Sequence, residues 1–312
     1  MQREIGPTLT VDLSRIRGNA TAIAKRTGVP VIAVVKANAY GLGAARVARA
    51  LADVPAVEGF YTFSLAEAVS YDLGATGKPT LALEPHPTAS ADDYLPHKVR
   101  PSVWPPDAAA ALRRTRPVLS IDTGMQRFAA APADVLAILQ AGDVREAMTH
   151  ATRLEHVDQL LAAVGGARDD LKLHASGTAL LDEPRAYLHA TRPGVALYRD
   201  ALTVTAPLYQ ARDSNIPAGY TGFVTPRHGL ILAGYQHGIR PGPCLVNGRP
   251  SRLLEVGMQT SFVELEPADK PGDPVTLLGP DLPADAVAKA WSCGPHEVLL
   301  RLSAGAPIHY VD

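Results

Sequence analysis

Between residues 10 and 205 one alternation recurs, a short apolar run followed by an Ala- and Leu-rich stretch with helical spacing. The apolar runs fall at 29–35, 59–64, 80–83, 99–103, 117–121, 146–150, 172–174 and 195–198. Helical patterns follow most of them, at 65–73, 107–114, 132–140, 157–164 and 179–189. The runs are apolar throughout and do not alternate with polar residues, as expected of parallel strands covered on both faces. Eight such units predict an α/β fold of the (β/α)8 TIM-barrel type, with a doubly wound open sheet as the competing arrangement. The stretch Gly41-Leu-Gly43-Ala-Ala-Arg46 lacks the third glycine of a dinucleotide-binding turn.

Past Leu202 the texture changes to short β-rich runs separated by Gly and Pro, at 230–233, 253–256, 261–265, 275–278 and 297–302. One helical stretch, 284–289, follows Pro283. A chain of 312 residues suits two domains, a barrel over 1–205 and a mostly β domain over 206–312. Lys plus Arg (30) nearly equals Asp plus Glu (31), so no general field draws in nucleic acid or an anionic membrane. The cluster Arg113-Arg114-Thr115-Arg116 fits the end of a helix, where cations are favourable. Cys244 and Cys293 have no metal-ligand spacing and suit a reducing compartment. The first seven residues have no apolar signal region, and no membrane-length apolar run follows. A cytoplasmic protein without a metal is expected.

In a barrel of this type the reactive groups stand at the C-terminal ends of the strands. The first run ends in Lys36, within Val31-Ile-Ala-Val-Val-Lys-Ala-Asn-Ala-Tyr-Gly-Leu-Gly43. Partial burial there favours the neutral amine, the form that condenses with a carbonyl. The fifth run leads into Asp122-Thr-Gly-Met-Gln-Arg127, and the sixth ends on Thr149-His150. The seventh leads through His174-Ala-Ser-Gly-Thr178, and Arg192-Pro-Gly194 precedes the eighth, which ends on Tyr198. A lysine, arginines and two histidines on one rim suit an anionic ligand that carries a reactive carbonyl. A metal-dependent hydrolase built on His150 and His174 lacks a third ligand at suitable spacing.

These segments resemble the fold-type III pyridoxal-phosphate (PLP) enzymes, and among them the alanine racemases. Val34-Val-Lys-Ala-Asn-Ala-Tyr-Gly-Leu-Gly43 is similar to the family's PLP-lysine motif, with Leu42 where a histidine is usual. Asp122-Thr-Gly-Met-Gln-Arg127, Arg192-Pro-Gly-Val-Ala-Leu-Tyr198 and Gly234-Tyr-Gln-His-Gly238 resemble three further motifs, in the family's order. The resemblance implies an amino-acid racemase that interconverts L- and D-enantiomers by two-base proton transfer at Cα. It gives Lys36 the cofactor and one proton-transfer role. Tyr235 takes the opposite face, reaching in from the second subunit of a head-to-tail homodimer. Tyr40, Thr178 and His296 are implied at the cofactor phosphate, and Arg192 at its ring nitrogen. His150 and His174 belong to the supporting polar network, and Arg127 with the N–H of Met258 holds the substrate carboxylate.

The chain departs from the family pattern at the substrate end. Ser120 stands where a lysine is usual, Gln259 and His237 replace aspartates, His296 a tyrosine, Thr178 a serine and Gly177 an asparagine. A substrate preference moved away from alanine is the expectation. Two alternatives share the cofactor. A fold-type III decarboxylase or lyase would need a catalytic cysteine segment, which does not appear around Cys244 or Cys293. A non-catalytic PLP-binding barrel would have no second domain.

Overall fold

The computed structural model describes residues 6–84, 86–167 and 169–312. They form two compact units whose division is discontinuous in sequence. One holds Ile16–Ala39 and Gly43–Leu197; the other holds the N-terminal residues up to Arg15, Tyr40–Leu42 and Tyr198–Asp312. The first strand, β1 (Thr8–Asp12), therefore belongs with the C-terminal unit, and the main division falls at Tyr198 rather than at 205.

The larger unit is built on seven parallel strands in sequence order. They are β2 (Val31–Val34), β3 (Val57–Thr62), β4 (Thr80–Ala82), β5 (Val99–Val103), β6 (Val118–Ser120), β7 (Glu146–Ala151) and β8 (Lys172–Ser176). Strands β2, β4 and β6 are buried along their whole length, as their uninterrupted apolar composition requires.

The eighth position is filled by residues 189–193 rather than by the expected run at 195–198, which is a 3₁₀ turn. On one side His189 N–H donates to Leu173 O at 2.9 Å and Arg192 N–H to Ser176 O at 2.7 Å. On the other, Ile32 N–H donates to Thr191 O at 2.8 Å and Val34 N–H to Pro193 O at 3.2 Å. Those bonds join β8 to β2 and close the barrel. The segment is hard to see in the sequence because Arg192 and Pro193 interrupt its apolar pattern. The helix expected over 179–189 is reduced to the 3₁₀ turns Thr178–Leu180 and Pro184–Ala186, since Pro184 cannot continue a helix.

In the second unit a long strand, β9 (Leu202–Asp213), anchors an antiparallel barrel. Its other members are β10 (Arg227–Ile231), β11 (Pro243–Val246), β12 (Arg249–Val256), β13 (Ser261–Glu264) and β14 (Pro274–Leu278). Strand β9 pairs with β14 through its first half and with β10 through its second, which closes the ring. Strand β1 then adds beside β9, and β15 (Ile308–Val311) adds in parallel beside β1. The run at 297–302, expected as a strand, lies inside the helix Pro295–Ser303. Val298, Leu299 and Leu302 are buried on one helical face, and Arg301 bonds Glu297 one turn back at 2.8 Å. A short apolar run alone does not separate the two outcomes. Among the described residues no helix is long and apolar enough to cross a membrane.

Candidate active site

Lys36 opens a left-handed turn just past β2. Ala37, Asn38 and Ala39 have φ of 53–55° and ψ of 43–51°, and Tyr40 has φ 57°. Left-handed backbone costs a non-glycine residue about 1–2 kcal/mol, so four in succession need firm support. Glu67 Oε1 accepts the Ala37 N–H at 2.9 Å, and Val35 O accepts that of Ala39 at 2.8 Å. Asn38 accepts from Gly43 N–H through its carbonyl (2.9 Å) and from Ala44 N–H through Oδ1 (2.8 Å). Gly41 continues the left-handed course at φ 84°, and a Cβ there would lie 1.8 Å from Ser303 Oγ.

Burial lowers the basicity of the Lys36 amine; Arg127 and Arg192 lower it further, and Glu67 opposes them. Arg192 is itself buried, with its guanidinium over the Tyr61 ring at 5.2 Å. One terminal nitrogen donates to Thr149 O, while Nε–H is buried without a partner. His150 stands next to the end of β7, its side chain exposed yet with protein atoms packed close about it. That environment, with Arg192, Lys36 and Arg127 nearby, lowers its pKa to about 4 and keeps it neutral.

Behind this rim, His174 is fully buried and Nε2 lies 3.0 Å from Glu146 Oε1. The other Glu146 oxygen takes a hydrogen bond from Arg100 at 2.6 Å. Thr178 Oγ1 accepts the N–H groups of Gly194 and Ala196, both at 3.2 Å.

The Arg127 loop is folded by its own sequence. Asp122 Oδ1 accepts the N–H of Gly124 at 2.8 Å and of Gln126 at 3.0 Å, a side-chain turn that carries the chain round to Arg127. The Arg127 guanidinium lies 5.9 Å from the centre of the Phe128 ring, which packs against Trp104 and Phe63. Ser120, at the end of β6, is buried.

The remaining expected residues lie in the second unit. Tyr40 and Tyr198 pack with their rings tilted at 47° and the ring centres 5.1 Å apart, and burial pushes the Tyr40 hydroxyl up to about 12. Tyr235 and Met258 occupy abutting turns and are exposed, 60% and 74%. Tyr235 N–H donates to Gly257 O at 2.8 Å, and Gln259 Nε2 donates to Gln236 Oε1 at 3.1 Å across the same junction. Gly234 permits that approach, since a Cβ there would lie 2.3 Å from Gly257 O. His237 Nδ1 accepts the Gly234 N–H at 3.0 Å. His296 is exposed on the first turn of the helix Pro295–Ser303.

The barrel unit thus brings together Lys36, Arg127, His150 and Arg192, with His174 behind them. The second unit holds Tyr40, Tyr235, Met258 and His296. Sequence reasoning missed Tyr61, Glu67 and Glu146. Glu67 carries a signal, Ser64-x-x-Glu67 ahead of an apolar run, but one that reads as a helix cap.

A family model described as alanine racemase, N-terminal domain, matches residues 11–201. The biosynthetic alanine racemase of Escherichia coli K12 is 30% identical over 340 aligned positions, covering 90% of this chain and 92% of its own. The crystal structure of biosynthetic alanine racemase from Pseudomonas aeruginosa superposes with a TM-score of 0.86 at 26% identity, covering 98% of this chain and 99% of its own. That of Bartonella henselae, solved with covalently bound pyridoxal phosphate, has the same fold at TM-score 0.86 and 21% identity, covering 98% and 99%. On the family model and the matched length, the chain belongs to the alanine racemase family.

Proposed function

We propose that this chain is a PLP-dependent amino-acid racemase in which Lys36 and Tyr235 of the partner subunit exchange the Cα proton across opposite faces of the substrate. The observation that carries the reading is the pairing of a desolvated Lys36 amine with a buried Arg192 whose Nε–H lacks a partner. An orphaned buried donor needs an acceptor, and the ring nitrogen of PLP is one. When bound, PLP supplies an electron sink that acidifies the Cα–H of an attached amino acid.

The residues divide the remaining work. Arg192 keeps its proton, because a guanidinium is effectively always charged, so it meets an unprotonated ring nitrogen. Lys36 takes or returns the proton on one face, and the Tyr235 hydroxyl acts on the other. Each passage leaves the proton on the opposite group, and the reverse passage or exchange with water resets the pair. Arg127 and the Met258 N–H hold the carboxylate, the former by the match of its planar fork to two oxygens. Tyr40, held protonated by burial, donates to the phosphate together with Thr178 and His296. Neutral His150 accepts from Tyr235 when the phenol is protonated, with His174 and Arg192 behind it.

A homodimer and a cytoplasmic location belong to the same proposal; the free thiols of Cys244 and Cys293 favour the latter. Deuterium uptake at Cα in heavy water tests the chemistry. Lys36→Ala and Tyr235→Phe should each abolish racemisation, and mixing the two variants should restore activity through hybrid dimers. Undiminished racemisation by Tyr235→Phe rules out the two-group scheme, and failure of the mixture to recover rules out a shared site.

A further inference from the structure

We propose that Glu67 is a positioning residue for Lys36, its carboxylate tying the start of the left-handed turn to the end of β3. Oε1 accepts the Ala37 N–H at 2.9 Å, while Oε2 accepts the Thr62 hydroxyl at 2.7 Å and the Phe63 N–H at 2.9 Å. Thr62 is fully buried, so the far end of this bridge is fixed. The near end is the peptide immediately after Lys36, whose backbone direction sets where the amine is carried.

Glu67 is placed by its own helix, Leu65–Ser70. Ser64 caps that helix by accepting the Glu67 N–H at 3.2 Å, which leaves the Glu67 side chain free to reach outward. The helix therefore receives, through Glu67, the first donor of a backbone course that alanine and asparagine do not adopt unaided.

The bridge also gives Lys36 a nearby anion. Arg127 and Arg192 lower the basicity of that amine, and Glu67 is the group that opposes them. Glu67 thus fixes direction and basicity together.

The inference rests on Lys36 being the reactive amine of the proposed function, and its test runs without cofactor so that the two fail separately. Full-length protein is treated with hydroxylamine to free Lys36 of any bound carbonyl. Trace acetic anhydride then labels it across a pH series, and the Lys36 peptide is quantified by mass spectrometry. Glu67→Gln should move the labelling midpoint to lower pH, because the neutral amine no longer competes with a carboxylate-stabilised ammonium. Glu67→Asp keeps the charge but shortens the bridge. It should leave the midpoint near the parent's while deuterium exchange across residues 31–42 accelerates. A Glu67→Gln profile that superposes on the parent overturns the proposal. Should that variant not fold, unchanged exchange in Glu67→Asp overturns it instead.

Discussion

Inside the barrel, the carboxylate of Glu146 on β7 lies 3.0 Å from Nε2 of His174 on β8. The Arg100 guanidinium fixes the other carboxylate oxygen, so the imidazole donates through Nε2 and its Nδ1 is left bare. Burial alone would raise the Glu146 carboxyl; the bond from His174 and the Arg100 charge outweigh it and hold it at about 2. For His174 burial wins, and its pKa falls to about 4.

This pair predicts a loss of stability in mild acid. Unfolded His174 takes a proton near 6.5, while the folded residue stays neutral until about 4. The unfolded chain binds more protons in that window, so stability falls as pH drops through it, by roughly 3 kcal/mol from this residue. Glu146 adds a second loss between 4.5 and about 2, because its folded carboxyl resists protonation. Urea midpoints at pH 7.5, 5.5 and 4.5 should decline in order. His174→Gln should flatten the upper part of that profile, and an already flat parent profile would contradict the assignment.

Thr178→Val removes the oxygen on which two backbone donors converge, those of Gly194 and Ala196. Leaving such donors without an acceptor costs about 1–3 kcal/mol. Lower resistance to urea is expected, partly recovered when PLP is added, since a phosphate oxygen is an alternative acceptor. Stability that is unchanged, or indifferent to PLP, would count against this cradle.

Ala37→Gly should stabilise the protein. Ala37 is exposed and left-handed at φ 53°, so the substitution removes backbone strain while sacrificing no buried contact. The net gain is about 0.5–1 kcal/mol once the greater freedom of the unfolded chain is allowed for. A thermal midpoint below the parent's would show that the turn is not strained at this position.

Substrate preference tests the altered end of the pocket. With Ser120 buried at the end of β6, Arg127, proposed above to hold the substrate carboxylate, has the Phe128 ring as its neighbour in place of an anion from that strand end. Racemisation of alanine, serine and a basic amino acid, each from both enantiomers, should place alanine below at least one of the others in kcat/KM. A large excess for alanine would mean that the substitution at Ser120 is silent.

Much of this architecture is legible in the sequence. Continuous apolar runs such as Val31–Val34 mark the parallel strands, and Lys36 closes the first on a polar rim. The barrel's eighth segment escapes because backbone bonds to both neighbours define it, while its side chains carry no strand pattern. The membership of β1 is equally hidden, since its partners lie at Thr205 and Ile308 and pairing at that distance leaves no local mark. Glu67 and Glu146 escape for another reason. Each acts through contacts made across strand ends or inside a sheet, and only the fold shows which donors they meet.

Strand β1 sits between β9 and β15, with Leu9 facing both Val204 and Ile308. During synthesis its edge must stay unpaired while the barrel residues emerge, and its second neighbour comes almost a whole chain length later. The larger unit can assemble on the ribosome from segments that follow one another, whereas the other waits for residues near 310 to leave the exit tunnel. Ribosome stalling before that point is expected to yield a formed Lys36 barrel joined to an incomplete sheet, with β1 as the exposed edge most open to wrong partners.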